Sequence, residues 1–502
     1  MATIFGATVS LILILLACVG VARLLRKTEK SAAKPASRDT DQQEPFVVAP
    51  YLQLGNNPTR SDKESLELIW WTSDHGYLWA VEARPLGSDR WLGSDIPSEH
   101  RINIGDMKPM RRLKATLAHL VPGKEYEYRV LMGGEPVFTG RASAPKSAKQ
   151  PYRFVAVGDL ATGRVGSKNV AYQIALAKPD LLVMPGDIAY KHGRISEYRN
   201  RYFPTFNSEA PHFLQGGPII RSKLSVAAFG NHDAGTPDPP DDVRDLEKYP
   251  DLLAYFMFWS QPLNGPLGTV GAPNTPDLIG SGTRKRAFLS AAGERFPRMA
   301  NFSFDYGNAH WLVLDANYYM DWTNPGLRAW VEKDLTDAKG AAWKFVVYHQ
   351  GGFTSDVKHA DEQRMRLLTD IFERTGVNVI FNGHNHAYER NYPLRFRIKP
   401  QPDGKLISPE GRVDGDLTLD KKFDGKSNTR PDGVLHIVTG GGGGKLNLEP
   451  ERRVQRDRLP PFTNVIFDDV HSFTVCDVDG DKLTFRQISA QGVELDSFTV
   501  TK

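Results

Sequence analysis

Cysteine is nearly absent: the 502 residues include only Cys18 and Cys476. A disulfide scaffold and a cysteine-rich zinc module are excluded, because each needs several thiols at defined spacings. Cys18 falls inside the N-terminal apolar run, so the folded part holds a single thiol and no internal disulfide. An excess of one charge is lacking too. Lys plus Arg total 63 against 59 acidic residues, a net of +4 with both signs mixed along the chain. No basic stripe or acidic tail points to nucleic acid, and none is expected as a partner. Long hydrophobic runs are equally scarce. One stands out, Ala2 to Ala22 (ATIFGATVSLILILLACVGVA), 21 residues without a charge and long enough to cross a bilayer as one helix.

No basic residue precedes that run, as one would in a secretory signal, whereas Arg23, Arg26, Lys27 and Lys30 follow it. Residues 1–27 are therefore expected to be an uncleaved transmembrane anchor in preference to a cleaved signal. LLAC (Leu15–Cys18) is only a loose match to a lipoprotein cleavage box. By the positive-inside rule the charges after the run favour a cytoplasmic C-terminal flank. Residues 28–45 (TEKSAAKPASRDTDQQEP) are polar and without apolar periodicity, which predicts a flexible linker and a folded start near Phe46.

From 46 to 148 the pattern is short strands with turn signals. In EYEYRV, Tyr126, Tyr128 and Val130 alternate with Glu125, Glu127 and Arg129, the period-two pattern of a strand buried on one face. About a hundred residues of this texture predict an all-β sandwich. PGKEYEYRV resembles the tyrosine-bearing strand of fibronectin type III domains, modules that position other domains. From 151 to 502 strands alternate with helical segments. RFVAVGD and DLLVMPGD flank NVAYQIALAKP as a β-α-β unit, and LSVAAFGNHD, HWLVLDAN, WKFVVYHQ, VNVIFNGHNH and VLHIVTGGGGG continue the series. Helices are expected at LRAWVEKDLTDA and EQRMRLLTDIFERTG, and a hairpin through Asp479-Gly480-Asp481. Residues 234–299 and 391–432, rich in Pro, Gly and charge, are expected to be loops over the active face.

Ligands in open α/β sheets bind at the carboxyl ends of strands, and those ends here carry chemistry. Asp159 follows Gly158; Asp187 and Tyr190 lie in GDIAY; Asn231 lies in GNHD; His349 ends WKFVVYH; His384 and His386 lie in GHNH. Carboxylate, phenolate, amide and imidazole suit iron, zinc or manganese, with no thiolate involved. Singly, each has a plain structural explanation: Gly-Asp as a turn or cap, His349 as a satisfied core histidine, Tyr190 as packing. Their order on successive strand ends is what such explanations fail to cover.

That order, from about Phe46 to the end, resembles the calcineurin-like metallophosphoesterase superfamily and specifically the purple acid phosphatases. The GDxxY form with Tyr190 and the Gly158-Asp159 start select that branch. The resemblance implies a β-sandwich catalytic domain with flanking helices, of α/β class, behind a fibronectin-like domain. It implies two metal ions, Fe(III) held by Asp159, Asp187, Tyr190 and His386, and Fe(II), Zn or Mn held by Asp187, Asn231, His349 and His384, with Asp187 as the bridge. The implied reaction is hydrolysis of phosphate monoesters, a metal-bound hydroxide attacking phosphorus in line. His232 would hydrogen-bond the phosphate or protonate the leaving group. Two departures stand out. Gly-Asp-Leu-Ala replaces the usual Gly-Asp-x-Gly, and Lys358-His359 replaces a His-His pair, leaving His359 as the remaining substrate-facing histidine. Arg390 is expected to brace its loop through a salt bridge. The alternatives are a phosphodiesterase or nucleotide-cleaving enzyme with the same metals, and a surface binding protein with a vestigial metal site. The family is usually exported, which argues for a membrane-anchored protein on the cell-surface or periplasmic side and conflicts with the charges around the helix.

Overall fold

Alternation in EYEYRV is realised as expected: Tyr126, Tyr128 and Val130 are buried while Glu125 faces out, in the strand Glu125–Met132. In the computed structural model, which describes residues 44–502 apart from 236–243, 269–271, 447, 449–453 and 455, this strand belongs to a β-rich N-terminal region. One four-stranded sheet there runs Val48–Gln53, Glu64–Ser73, Met110–Leu120, Ser98–Ile102; the other runs Leu92–Gly93, Trp79–Pro85, Glu125–Met132, Glu135–Ser143. Trp70 and Trp79 meet between them with ring centroids 5.8 Å apart. The expected anchor over 1–27 and all but the last two residues of the expected linker lie outside the described residues. Among the described residues no helix is long and apolar enough to cross a membrane.

Phe46 to Lys502 is one compact unit, and polar contacts tie its β-rich region to the rest. The Tyr128 hydroxyl donates to the carbonyl of Arg221 (2.8 Å), and that of Tyr51 to the carbonyl of Phe258 (2.7 Å). Both tyrosines are buried, so each hydroxyl needs the partner it finds.

The larger part is two packed sheets. In the first, Leu224–Ala227, Leu181–Met184 and Tyr152–Ala156 run parallel, followed by antiparallel strands Ser472–Asp479, Lys482–Ser489 and Glu494–Thr501. In the second, Ala309–Val313, Trp343–Val347, Val379–Asn382 and Leu435–Thr439 are parallel neighbours. These strands are apolar on both faces because both are covered. Phe154 of the first sheet meets Trp311, Phe345 and Phe381 of the second at 5.0, 5.5 and 5.6 Å between ring centroids. This aromatic contact sets the sheets face to face, and the carboxyl ends of both parallel sets come to one edge.

Helices flank the sheets, among them Val165–Ala177, which ends on left-handed Lys178, and Pro325–Asp337, capped by the Asn324 side chain. The hairpin through Gly480-Asp481 joins Asp479 to Lys482 as expected. Three expectations need correction. The EQRMRLLTDIFERTG segment is a 3₁₀ turn, Arg364–Leu368, followed by a short α-helix, Thr369–Arg374. Met365, Leu367 and Leu368 are all buried, and the 3.0-residue turn sets Met365 directly in line with Leu368. Residues 234–299 include the helix Gly282–Ala292, its N-terminus capped by the Ser281 hydroxyl. Residues 391–432 include a β-hairpin, Leu394–Ile398 with Gly415–Leu419.

Candidate metal centre

Both strands of the β-α-β unit stop at Gly-Asp, and in each the aspartate itself turns the chain. Asp159 (φ +60) and Asp187 (φ +54) occupy the left-handed region, as does His384 (φ +70). Such conformations are unfavourable for side-chain-bearing residues outside Asn and Asp, and they persist where surrounding structure over-determines them. The two aspartate loops run side by side: Asp159 N–H donates to the carbonyl of Gly186 (3.1 Å) and Leu160 N–H to that of Asp187 (2.9 Å). The second sheet closes on them. His384 N–H donates to Asp159 Oδ2 (2.9 Å), Gly158 N–H to the carbonyl of Thr439 (2.9 Å), and Gly444 N–H to that of Asp159 (2.8 Å).

Asp159 and Asp187 are fully buried at 0% and 1% exposure. Around them the predicted residues converge in two groups. On one side the Tyr190 hydroxyl lies 2.9 Å from Asp159 Oδ1, 3.1 Å from Asp187 Oδ2 and 3.1 Å from His386 Nε2, with His386 Nε2 3.3 Å from Asp159 Oδ1. On the other side His349 Nε2 lies 3.2 Å from Asp187 Oδ2 and 3.3 Å from His384 Nδ1. His349 Nδ1 is 2.7 Å from the carbonyl of Pro185 and His386 Nδ1 2.7 Å from that of Lys445. These carbonyls take the Nδ1 protons and leave both Nε2 atoms facing the aspartates. Asn231 is buried on the next turn. That turn touches the centre where the neighbouring His232 N–H donates to Asp187 Oδ1 (2.9 Å).

Charge points to cations here. Burial alone would lower the His349 imidazole, but Asp187 and Asp159 outweigh it and push it up to about 10. Burial, with Asp159 and Asp187 alongside, holds the Tyr190 hydroxyl well above its ordinary value. Two buried carboxylates are costly without positive charge, and a phenolate beside them needs more of it. The donor set fits: two carboxylates, a phenol, an amide and three imidazoles are the hard and borderline donors of iron, zinc or manganese. The spacing fits as well. An ion bound at about 2.1 Å keeps adjacent donors roughly 3 Å apart, and the contacts above span 2.9 to 3.3 Å. Close packing leaves the ligands little freedom. A methyl group on Gly230 would stand 2.2 Å from Asp187 Oδ1, and one on Gly383 would stand 2.6 Å from Asp159 Oδ2.

His232 points Nδ1 at the carbonyl of Lys191 (2.6 Å) and stacks on Tyr190 with ring centroids 4.3 Å apart; its Nε2 is 3.7 Å from Asp187 Oδ2. His359 lies beside His384, its Nδ1 2.8 Å from His384 Nε2. The departures in sequence are accommodated. Ala161 pairs with Ala189 across the two aspartate loops, so the first turn forms without a glycine at 161. Arg390 makes the expected salt bridge, its guanidinium 2.7 Å from Asp496 Oδ2 and over the Phe498 ring, but from the strand Tyr388–Asn391 and not from a loop.

Three acidic residues at or beside the centre escaped the sequence reading. Asp233, buried, accepts from the N–H groups of Ile188 and Gly230 (3.2 Å each) and from the Tyr198 hydroxyl (3.2 Å), joining two ligand loops. Glu389, buried after the GHNH turn, accepts from Ser355 N–H (2.8 Å) and from the hydroxyls of Ser355 and Thr463 (2.9 Å each). Glu362 contacts both His359 and His384. A carboxylate directly after GNH, and a glutamate three residues past a candidate histidine, were the available signals.

Residues 152–388 match the family model described as calcineurin-like phosphoesterase. An uncharacterized protein of Mycobacterium tuberculosis is 24% identical over 424 residues, covering 80% of this chain and 70% of its own. Purple acid phosphatase 15 of Arabidopsis thaliana is 22% identical over 342 residues, covering 64% of this chain and 56% of its own. Among solved structures, a purple acid phosphatase from yellow lupin (Lupinus luteus) seeds superposes with a TM-score of 0.63 at 16% identity, over 90% of this chain and 74% of its own. A structure of PhoD gives 0.56 at 13% identity, over 93% and 92%. At such identities the superpositions speak for the fold. Residues 152–388 thus carry the calcineurin-like phosphoesterase match, with the centre at the joined sheet edges inside it, and the chain is similar over most of its length to purple acid phosphatases.

Proposed function

We propose that the protein hydrolyses phosphate monoesters with two metal ions held by Asp159, Asp187, Tyr190, Asn231, His349, His384 and His386. The observation that carries this reading is the contact geometry of Asp187: its Oδ2 lies 3.1 Å from the Tyr190 hydroxyl on one side and 3.2 Å from His349 Nε2 on the other. One buried carboxylate thus stands between a phenol-bearing and an imidazole-bearing group, as a bridge between unlike ions would. When bound, the two cations supply an activated water and offset the charge of the phosphate.

The chain's own residues do the rest. Asp187 holds the two ligand groups together, and the Pro185 and Lys445 carbonyls fix the tautomers of His349 and His386. His232 gives its Nδ1 proton to the Lys191 carbonyl and keeps Nε2 on the centre side, where it holds a proton for the departing alkoxide. His359 stands beside His384 at the edge of the site, and exposed Lys358 next to it adds positive charge for an anionic substrate. The ion on the Tyr190 side is ferric on this reading, because a phenolate suits a hard trivalent ion, and the other is Fe(II), Zn or Mn. The β-rich region over 46–148 is a fibronectin type III-like support. Residues 2–22 tether the enzyme to a membrane, on its cell-surface or periplasmic side, a placement that rests on sequence alone.

A panel of p-nitrophenyl phosphate and its bis-ester across pH tests the activity. Faster turnover of the monoester supports the proposal. Faster turnover of the diester replaces it with a phosphodiesterase, and no turnover of either by metal-loaded protein leaves a binding protein with an inert centre.

A further inference from the structure

His384 presents its two ring nitrogens to different partners. Nδ1 lies 3.3 Å from His349 Nε2, on the metal side, while Nε2 lies 3.0 Å from Glu362 Oε2 and 2.8 Å from His359 Nδ1. His359 Nδ1 in turn lies 2.6 Å from Glu362 Oε1. Two imidazole nitrogens this close repel if both carry protons, unless an acceptor draws each proton aside. Glu362 has one oxygen for each. Its carboxylate therefore fixes both tautomers: His384 carries its proton on Nε2 and keeps the Nδ1 lone pair for a metal, and His359 carries its proton on Nδ1 and keeps the Nε2 lone pair.

A third metal ion among His359, Glu362 and His384 would use the same atoms, which lie close enough together to hold one. The distances decide against it. Donors around an ion at about 2.1 Å stand roughly 3 Å or more apart, whereas the three contacts here are 2.6, 2.8 and 3.0 Å. The two contacts to Glu362, 2.6 and 3.0 Å, are hydrogen-bond lengths, and the 2.8 Å contact brings together two nitrogens whose protons both point to that carboxylate. The turn that carries Glu362 is itself held, its N–H donating to the carbonyl of His359 (3.1 Å).

We propose that Glu362 is a positioning residue that sets the tautomer and orientation of His384, and through it the affinity of the second metal ion. The inference rests on the dinuclear reading and adds to it an asymmetry: Glu362 serves the His349–His384 side and leaves the Tyr190–His386 side alone.

The test is Zn2+ titration of chelator-stripped full-length protein, wild type against Glu362→Gln, Glu362→Asp and His359→Gln, with metal content measured after dialysis. Glu362→Gln keeps the size of the side chain but offers one acceptor oxygen where the carboxylate offers two. It is expected to weaken the second zinc by about 10- to 100-fold, the usual cost of removing a carboxylate behind a ligating histidine, and to leave the first within about twofold. Glu362→Asp retains both acceptors and is expected to recover part of the loss. His359→Gln is expected to keep both zinc ions within about threefold while slowing turnover. Equal weakening of both ions in Glu362→Gln, or no weakening, overturns the proposal. So does an unfolded Glu362→Gln by circular dichroism, because a half-exposed residue acting through His384 leaves the fold intact. Wild-type protein that binds no zinc overturns the dinuclear reading instead.

Discussion

The hydroxyl of Tyr190 lies 2.9 Å from Asp159 Oδ1, although the two residues leave different strands of the first sheet and stand 31 positions apart. Their meeting depends on the parallel pairing of Tyr152–Ala156 with Leu181–Met184, which ends both strands at one edge. If, as proposed, Tyr190 and Asp159 hold Fe(III), the phenolate would give a visible charge-transfer band. Tyr190→Phe is expected to abolish that band while the protein stays folded. The check is the absorption spectrum of iron-loaded protein, and a band that survives the substitution contradicts the assignment of Tyr190.

Asp187 is the carboxylate shared by both ligand groups. Asp187→Asn keeps the shape and removes the charge, and is expected to lower kcat by roughly 10²- to 10³-fold or more, the scale of losing one electrostatic contact to the transition state. Steady-state kinetics with metal analysis on the same sample checks this. Near-normal turnover with two metals bound would remove Asp187 from the role of bridge.

Gly230 tests the packing behind the ligands. A methyl group there would lie 2.2 Å from Asp187 Oδ1 and 2.3 Å from Asp187 N. Because backbone is involved, the strain cannot be relieved by a side-chain rotation. Gly230→Ala is expected to cost about 1–3 kcal/mol of stability and to reduce metal content. Thermal denaturation and metal analysis read the two effects separately.

His310 offers a pH-dependent prediction away from the centre. Its Nδ1 is 2.8 Å from Asp305 Oδ1 and its Nε2 2.9 Å from Asp334 Oδ2. Burial lowers its pKa, but the two carboxylates outweigh burial and push it up to about 9. The folded value stands above the unfolded value of about 6.5. The stabilisation is therefore full below about pH 6.5 and disappears as pH rises through about 9. His310→Gln is expected to destabilise by about 3 kcal/mol more near pH 6 than near pH 10. Urea unfolding at the two pH values checks it, and an equal loss at both would show that the charge plays no part.

Much of the site was legible because its ligands sit in short motifs directly after apolar runs, where a strand must end and turn. Asp159, Asp187 and His349 could be placed on strand ends from those runs alone, and Arg390 could be assigned its salt bridge from its place after GHNH. Which sheet each strand joined could not be read. Val183 and Phe345 are equally apolar, and only the strand pairing places the first beside Tyr152–Ala156 and the second beside Ala309–Val313. Glu362 was hidden for a related reason. The apolar spacing of Met365, Leu367, Leu368, Ile371 and Phe372 fits a helix, and nothing local shows that the segment opens as a 3₁₀ turn with its acidic start against His384. Asp233 follows GNH directly and Glu389 stands three residues past His386, but those positions do not show that either carboxylate is buried and accepts backbone and hydroxyl protons.

The central claim is that these residues bind two unlike cations for phosphoester hydrolysis. The most direct measurement is metal content per chain, by elemental analysis of the purified full-length protein, taken with its turnover of p-nitrophenyl phosphate. The account predicts two metal ions per chain, iron among them, and activity that is lost on chelation and restored on reloading. Protein that holds no metal, or that hydrolyses the ester equally well after its metal is stripped, would contradict it.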